Sequence, residues 1–180
     1  MDYSEWLVAT FSSSLPDVGS IDVPALENGL GASFPQDYLR VMRSLPQFSL
    51  DEYIGIMGPE SLVRSHPPAQ EALRRAFEGE EGFYVDDGYG HASVVNQGEF
   101  IRFSELLKFG STSTSSSLYW QMVEGCSDDW PVLVGSKGVW YKYNVNFSEF
   151  LYRVLHGSIS CPLLVDEDWP DDEIEADVWR

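Results

Sequence analysis

The segment from Ser104 to Leu163 constrains the fold more than any other part of the chain. It contains three strand-like runs, LYWQMVEG, WPVLVG and GVWYKY, and residues 136–138 join the last two as a hairpin. The run NFSEFLYRVLHGS then has helical spacing, with Asn146 or Ser148 as N-cap and Gly157 as its stop. A short strand, CPLLV, is expected to close the fold. The segment therefore predicts a sheet packed against a helix, and it contains no catalytic signature.

The first part of the chain favours helices. One amphipathic helix is predicted near residues 3–15, a second begins after the N-cap Asp22 and ends at Gly31, and a third opens at Pro35. The strand EYIGIMG follows. A further helix begins near Pro59, and we expect the sequence His66-Pro67-Pro68 to break it before AQEALRRAFEG resumes, with Ala72, Leu73, Ala76 and Phe77 facing inward.

The region between the helices and the Ser104–Leu163 segment is typical of a β-meander. Strands are expected near 83–85, 92–95 and 100–103. Within the Ser104–Leu163 segment, the polar stretch 109–117 is expected to be a loop. Helices come first and strands later, without regular βαβ alternation. This order predicts an α+β fold, a single domain with a largely antiparallel or mixed β-sheet flanked by helices.

Composition limits the classes of function. The chain has 180 residues, enough for one well-filled core, and its net charge of -18 should repel phosphate backbones and attract basic surfaces. Direct nucleic-acid binding is therefore not expected. A plain solubility role for the acidic surface stays open. The N-terminus lacks a basic signal-like region and no apolar run is long enough to span a membrane, so we expect a cytoplasmic protein without membrane contact.

The C-terminal residues 166–180 differ from the rest of the chain. Eight of the twelve residues from 166 to 177 are acidic. We therefore divide the chain into a domain of residues 1–165 and an acidic C-terminal tail of residues 166–180. Trp169, Ile174, Val178 and Trp179 are unusual in a solvating tail, and they indicate partial docking on the domain or on a partner.

No residue pattern predicts catalysis, a metal site or a cofactor. There is no nucleophile elbow, no HExxH motif, and neither the three histidines nor the two cysteines, Cys126 and Cys161, have triad or zinc spacing. Acidic pairs in turns are instead candidates for contact with a basic partner, although plain surface turns are the simpler interpretation. The candidate partner-binding residues are Asp86, Asp87, Asp128, Asp129, Asp166, Glu167, Asp168, Asp171 and Asp172.

Several short motifs occur in the order found in one known family. The chain has LGASFPQDY at residues 30–38, LYW at 118–120, DDWPV at 128–132, FSEFL at 147–151 and LHG at 155–157. Together they resemble the SUKH superfamily, the Smi/Knr-like group of bacterial immunity proteins. The resemblance covers roughly residues 20 to 165, and the polar stretch and the acidic tail lie outside the shared pattern. On physical grounds, as helix stops, helix starts, caps and core residues, these positions are expected to be structural: Gly31, Pro35, Tyr38, Trp120, Trp130, Pro131, Trp140, Phe150, Leu151 and Gly157.

The SUKH resemblance implies a binding role. The expected function is an immunity protein that neutralises a cognate bacterial toxin, and the acidic charge favours a basic, nuclease-type toxin domain. The sequence predicts no particular oligomeric state. A regulatory interaction scaffold of the Smi/Knr type is the alternative, and an uncharacterised enzyme is the third interpretation.

Overall fold

The computed structural model describes residues 1–87, 93–164, 169–170 and 173–179. The chain folds as one α+β domain. Short 3₁₀ turns cover Phe103–Glu105 and Ser127–Asp129. The described helices are α1 (Tyr3–Phe11), α2 (Val23–Leu30), α3 (Gln36–Ser44), α4 (Pro59–Ala76) and α5 (Phe147–Leu155).

Two antiparallel sheets contain the described strands. These are β1 (Phe48–Leu50), β2 (Ile54–Ile56), β3 (Gly82–Tyr84), β4 (Phe100–Arg102), β5 (Leu106–Thr112), β6 (Ser117–Gln121), β7 (Val132–Ser136), β8 (Val139–Tyr143) and β9 (Ala176–Val178). The main sheet has the order β8-β7-β6-β5-β2-β1-β9, and β3 and β4 form a separate hairpin. Every described neighbouring pair is antiparallel, which confirms the predicted class.

Local capping chemistry sets the boundaries of α2 and α5 as predicted, whereas α1 ends at Phe11, before the expected residue 15. The Asp22 carboxylate accepts the Ala25 N–H at the start of α2, and Gly31 ends that helix in the left-handed conformation. Of the two caps considered for α5, Asn146 is the one that accepts the Glu149 N–H. Gly157, just beyond this helix, has a φ of +67°, which favours glycine.

One face of the main sheet packs against α3 and α5. Trp120 of β6 is fully buried, and its ring centroid lies 5.0 Å from that of Tyr38 and 6.0 Å from that of Phe147. The Tyr38 hydroxyl donates a hydrogen bond to the Met57 carbonyl at 2.7 Å, which links α3 to the chain just beyond β2. This face contains the largest part of the aromatic core.

The opposite face of the sheet packs against α4 and the β3–β4 hairpin. Successive side chains of a strand point to opposite faces, so Tyr119, which is next to Trp120 on β6, points to this side. The register of β6, β7 and β8 places Trp140 on the same side. The Gln70 amide of α4 donates to the Phe103 and Leu106 carbonyls at 3.0 and 2.7 Å. The domain is therefore three layers, with helices on one face and a helix plus hairpin on the other.

The residues expected to be structural are mostly interior. Pro35 precedes α3, which begins at Gln36, and Gly31 and Gly157 follow the helix ends described above. The remaining seven are buried: Tyr38, Trp120, Trp130, Pro131, Trp140, Phe150 and Leu151.

The predicted break in the fourth helix is wrong. Helix α4 continues through Pro67 and Pro68. Both prolines are exposed, so the carbonyls that lose their helical N–H partners lie on the side that water can reach. The inward face also differs from the prediction: Leu73 is buried, whereas Ala72 and Ala76 are exposed and Phe77 is half-buried.

The polar stretch 109–117 and the run CPLLV also differ from the prediction. Most of the polar stretch belongs to β5 and β6, and only residues 113–116 form the turn. Strand β5 pairs with β2 and β6, and β6 pairs with β5 and β7, so backbone pairing on both sides holds these polar residues in strands. CPLLV is a turn over its described part, and residues 93–95 of the expected meander strand form no strand.

Separate segments cover both edges of the main sheet. At the β8 edge, Asp86 N–H donates to the Trp140 carbonyl and Val95 N–H donates to the Lys142 carbonyl, each at 2.8 Å. At the other edge, β9 pairs with β1. Part of the segment predicted as a tail is therefore a strand of the sheet, in agreement with the expected partial docking. Covered edges protect against unwanted pairing with other chains.

Candidate partner-binding surface

The outer face of the β3–β4 hairpin carries two exposed aromatic rings. Tyr84 pairs with Phe100 across the hairpin, and their side chains are 66% and 44% exposed. The ring centroids are 5.2 Å apart. The alternate residues Phe83 and Ile101 point to the core. A cross-strand aromatic pair stabilises a hairpin, and aromatic residues are also enriched at protein interfaces, so this exposed pair is a candidate contact surface.

The hairpin is fixed firmly to the sheet beneath it. The Phe83 ring stacks on Trp140 with centroids 4.0 Å apart and planes 16° apart. The Asp86 carboxylate accepts the Trp140 N–H at 2.7 Å. Lys142, only 5% exposed, forms an ion pair with Glu99 at 2.7 Å. These contacts hold the aromatic pair on a rigid support, which lowers the entropy cost of binding a partner.

Carboxylates surround the aromatic pair. A cavity of about 530 Å³ beside Tyr84 and Phe100 is also lined by Glu80, Glu81 and Asp86, and no described Lys or Arg lines it. Glu80 and Glu81 are exposed. Aromatic faces and carboxylates together suit a Lys or Arg side chain, because the cation gains both a ring contact and an ion pair. We call this set of five residues the hairpin face.

The candidate acidic residues occupy different positions. Asp86 is half-buried and belongs to the hairpin face, and Asp87 beside it is exposed. Asp128 accepts the Gln36 N–H at 2.5 Å, so it also caps α3, and Asp129 is exposed. Five candidates lie outside the described residues: Asp166, Glu167, Asp168, Asp171 and Asp172.

Among the residues that the structure describes, the acidic turns and the C-terminal segment do not form one contiguous surface. Asp86 lies at the β8 edge of the main sheet, whereas Glu175 and Asp177 lie at or beside β9, at the opposite edge. Six strand spacings separate these edges, which amounts to roughly 29 Å along the sheet. The pair at 128–129 is at a third place, beside the start of α3.

Sequence reasoning missed Tyr84 and Phe100. The two-residue alternation in each strand implies that these residues share a face opposite to Phe83 and Ile101. It does not say which face is buried. That depends on the stacking of Phe83 on Trp140, a contact between distant parts of the chain.

The described cysteines and histidines form no nucleophile–base pair. Cys161 is buried, and burial raises the pKa of its thiol to about 11. Cys126 is exposed. His156 stacks on Tyr152 and its Nδ1 lies 2.8 Å from the carbonyl of that residue. His91 lies outside the described residues. Among the residues that the structure describes, no His, Cys, Asp and Glu group could hold a metal ion.

One further cavity lies where three helices begin. It has a volume of about 470 Å³, and Asp37 and Arg40 of α3 line it with the starts of α1 and α5. Burial raises the pKa of Asp37. Its carboxylate already accepts the Ser148 N–H at 2.7 Å and the Tyr38 N–H at 2.8 Å. The Asp37 carboxylate therefore caps the starts of α3 and α5.

No described helix has the length and apolar character needed to cross a membrane. Comparison of the chain with protein-family models, with curated proteins and with solved structures found no match. The conclusions on function therefore rest on the residues themselves and on the SUKH resemblance of the sequence motifs.

Proposed function

We propose that this protein is a cytoplasmic SUKH-like immunity protein. In this proposal it binds a basic bacterial toxin domain, of the nuclease type, and blocks it by covering its active site or an adjacent surface. It performs no chemistry of its own. The hairpin face is the centre of the contact, and a basic side chain of the toxin enters between Tyr84, Phe100 and the neighbouring carboxylates.

The observation that carries this proposal is the exposed Tyr84–Phe100 pair within an acidic rim. Buried aromatic anchors supply most of the affinity at protein interfaces, about 2 kcal/mol or more for each strong one. The net charge of -18 adds long-range attraction for a basic partner. Electrostatic steering can raise association rates to roughly 10⁸–10⁹ M⁻¹s⁻¹ at low salt, which suits rapid capture of a toxin.

The test uses the protein encoded immediately upstream of this gene as the candidate toxin. Expression of that protein alone should stop bacterial growth, and co-expression of the present chain should restore it. Tyr84→Ser combined with Phe100→Ser should weaken the complex by at least about 100-fold and abolish protection. Val123→Ser, which alters an apolar residue that is 36% exposed elsewhere, is the matched control and should protect fully.

A second experiment separates the acidic regions. Glu80→Gln with Glu81→Gln should slow association and flatten its dependence on salt, because charges at the rim of an interface act mainly on the association rate. Asp128→Asn with Asp129→Asn tests the other described acidic turn in the same stopped-flow assay. An effect confined to the second pair would move the interface to the start of α3.

Full protection by the double serine variant would contradict the hairpin face as the binding site. Covalent modification of the toxin after incubation, detected by intact-mass spectrometry, would contradict the absence of catalysis. Binding to several unrelated signalling proteins without protection from any toxin would favour the scaffold function instead.

A further inference from the structure

The β1 edge holds the C-terminal strand as if it were a bound peptide. Among the described strands, β9 pairs only with β1, in the register Phe48↔Val178, Ser49↔Asp177 and Leu50↔Ala176. Its residues follow almost the whole domain in sequence. A short strand added to an existing edge is the geometry by which many domains bind extended peptides, with backbone hydrogen bonds for affinity and side-chain pockets for specificity.

Side chains clamp both ends of this strand. At one end Gln47 Nε2 donates to the Trp179 carbonyl at 2.7 Å, and the Gln47 amide oxygen is held by the Ser61 hydroxyl at 2.7 Å. At the other end Asp51 Oδ1 accepts the Glu175 N–H at 2.7 Å, and Asp51 N–H donates to the Glu175 carbonyl at 2.9 Å. The edge is thus shaped for one segment in one register.

Gly55 provides a pocket for the indole of Trp179. A Cβ atom at Gly55 would lie 2.4–2.6 Å from three atoms of the Trp179 ring. The indole therefore occupies the space that any other residue at position 55 would fill. This close approach makes an aromatic anchor the main side-chain requirement of the edge.

The charge of the resident strand does not match this edge. Glu175 and Asp177 lie beside Asp51 and Glu52 of the β1–β2 turn, and Glu52 and Asp177 line the same cavity. Residues 1–165 contain 21 Asp and Glu against 10 Lys and Arg, so the rest of the chain also repels an acidic strand. Arg64 is the one Lys or Arg among the described residues lining the two cavities that Trp179 borders.

One buried atom indicates what a better-matched strand would carry. Asp51 Oδ2 is buried and has no hydrogen-bond partner among the described residues. An unpaired buried carboxylate oxygen is costly, and a cation placed nearby would satisfy it. The backbone of Glu175 already contacts the Asp51 carboxylate. A lysine at this position of an incoming strand would therefore lie close to that carboxylate.

We propose that the β1 edge is a peptide-binding site for an extended, basic segment of a partner protein with a tryptophan anchor. In this chain the C-terminal strand occupies the site and is displaced by that segment. The proposal does not depend on the hairpin face, which lies at the opposite edge of the sheet.

The test uses the full chain with Trp179→Ala, which loosens the resident strand. Three fluorescein-labelled probes are measured by anisotropy at low salt: the peptide EIEADVW, which copies residues 173–179, the basic peptide KIKAKVW, and a scrambled peptide of the same basic composition. KIKAKVW should bind at least tenfold more tightly than either other probe. It should also bind this variant at least tenfold more tightly than the wild-type chain.

Two further variants test the mechanism. Gly55→Ala added to Trp179→Ala should reduce KIKAKVW binding at least tenfold, because the new methyl group fills the indole pocket. Asp51→Asn should reduce the preference for KIKAKVW over EIEADVW while leaving EIEADVW affinity within about threefold. Thermal melts check that each variant is folded.

Equal affinity for the basic and the scrambled probe, or no effect of Gly55→Ala in a folded protein, would overturn the proposal. So would a wild-type chain that forms a concentration-dependent dimer lost on Trp179→Ala, since the occupant would then be a second copy of this chain. Sedimentation velocity measures that outcome directly.

Discussion

Replacing Trp140 by alanine should destabilise the domain by about 3–4 kcal/mol. The ring is 3% exposed and lies between Gly135, where a Cβ would be 2.3 Å from it, and Phe83, whose ring stacks on it. Truncating a buried aromatic residue to alanine typically costs about 3–5 kcal/mol. The buried indole N–H has no described hydrogen-bond partner, which destabilises the wild-type protein. Removing it offsets part of the lost packing, so the expected loss of unfolding free energy lies in the lower half of that range.

Urea unfolding followed by far-ultraviolet circular dichroism measures this change. The midpoint should fall and the slope should stay the same, because the unfolded state is unchanged. For a chain of this size the melting temperature should fall by roughly 6–16 °C. Trp140→Phe is the matched control, since it keeps a ring over Gly135 and should cost clearly less.

A double-mutant cycle with Phe83→Ala then isolates the stacking contact. The two alanine variants should be non-additive by about 0.5–1.5 kcal/mol, the usual value for an aromatic pair beyond the area it buries. A loss below about 1 kcal/mol for Trp140→Ala, or strict additivity with Phe83→Ala, would refute the reasoning. The hairpin would then be held by its backbone contacts rather than by this stack.

Three further outcomes are expected. Trp130→Ala should cost about 3–5 kcal/mol in the same urea assay, because a buried indole is lost, and a wild-type melting curve would contradict this. Tyr38→Phe should cost about 1–2 kcal/mol, since the Met57 carbonyl loses its donor, and an unchanged midpoint would show that water replaces the hydroxyl. At pH 8 iodoacetamide should alkylate Cys126 readily and Cys161 at least 100-fold more slowly in the folded protein, because burial raises the Cys161 thiol pKa to about 11; equal rates by mass spectrometry would contradict this.

Several features of the fold were predictable because their causes lie within a few residues. Asp22 begins α2 and Gly31 ends it through hydrogen bonds and backbone conformations that neighbouring residues determine. The hairpin at 136–138 and the cap at Asn146 are local in the same way. The order of these local signals was enough to predict the α+β class.

Other features depend on contacts between distant residues, and the sequence pattern does not contain them. Strands β1 and β9 are each three residues long. Strand β9 forms because β1 supplies its hydrogen bonds, and β1 forms because β2 and β9 supply its hydrogen bonds. The polar stretch 109–117 becomes strand for the same reason, since pairing on both sides outweighs its low intrinsic preference.

The features of the candidate surfaces also fall into those that the sequence determines and those that the tertiary structure determines. Acidic charge, the aromatic content and the tryptophans of the C-terminal segment are properties of the sequence alone. Which aromatic residues are exposed was decided by the stacking of Phe83 on Trp140, which turns Tyr84 and Phe100 outward. The indole pocket at Gly55 likewise exists only because β9 lies beside β1. Burial is a property of packed elements, so only the tertiary structure decides it.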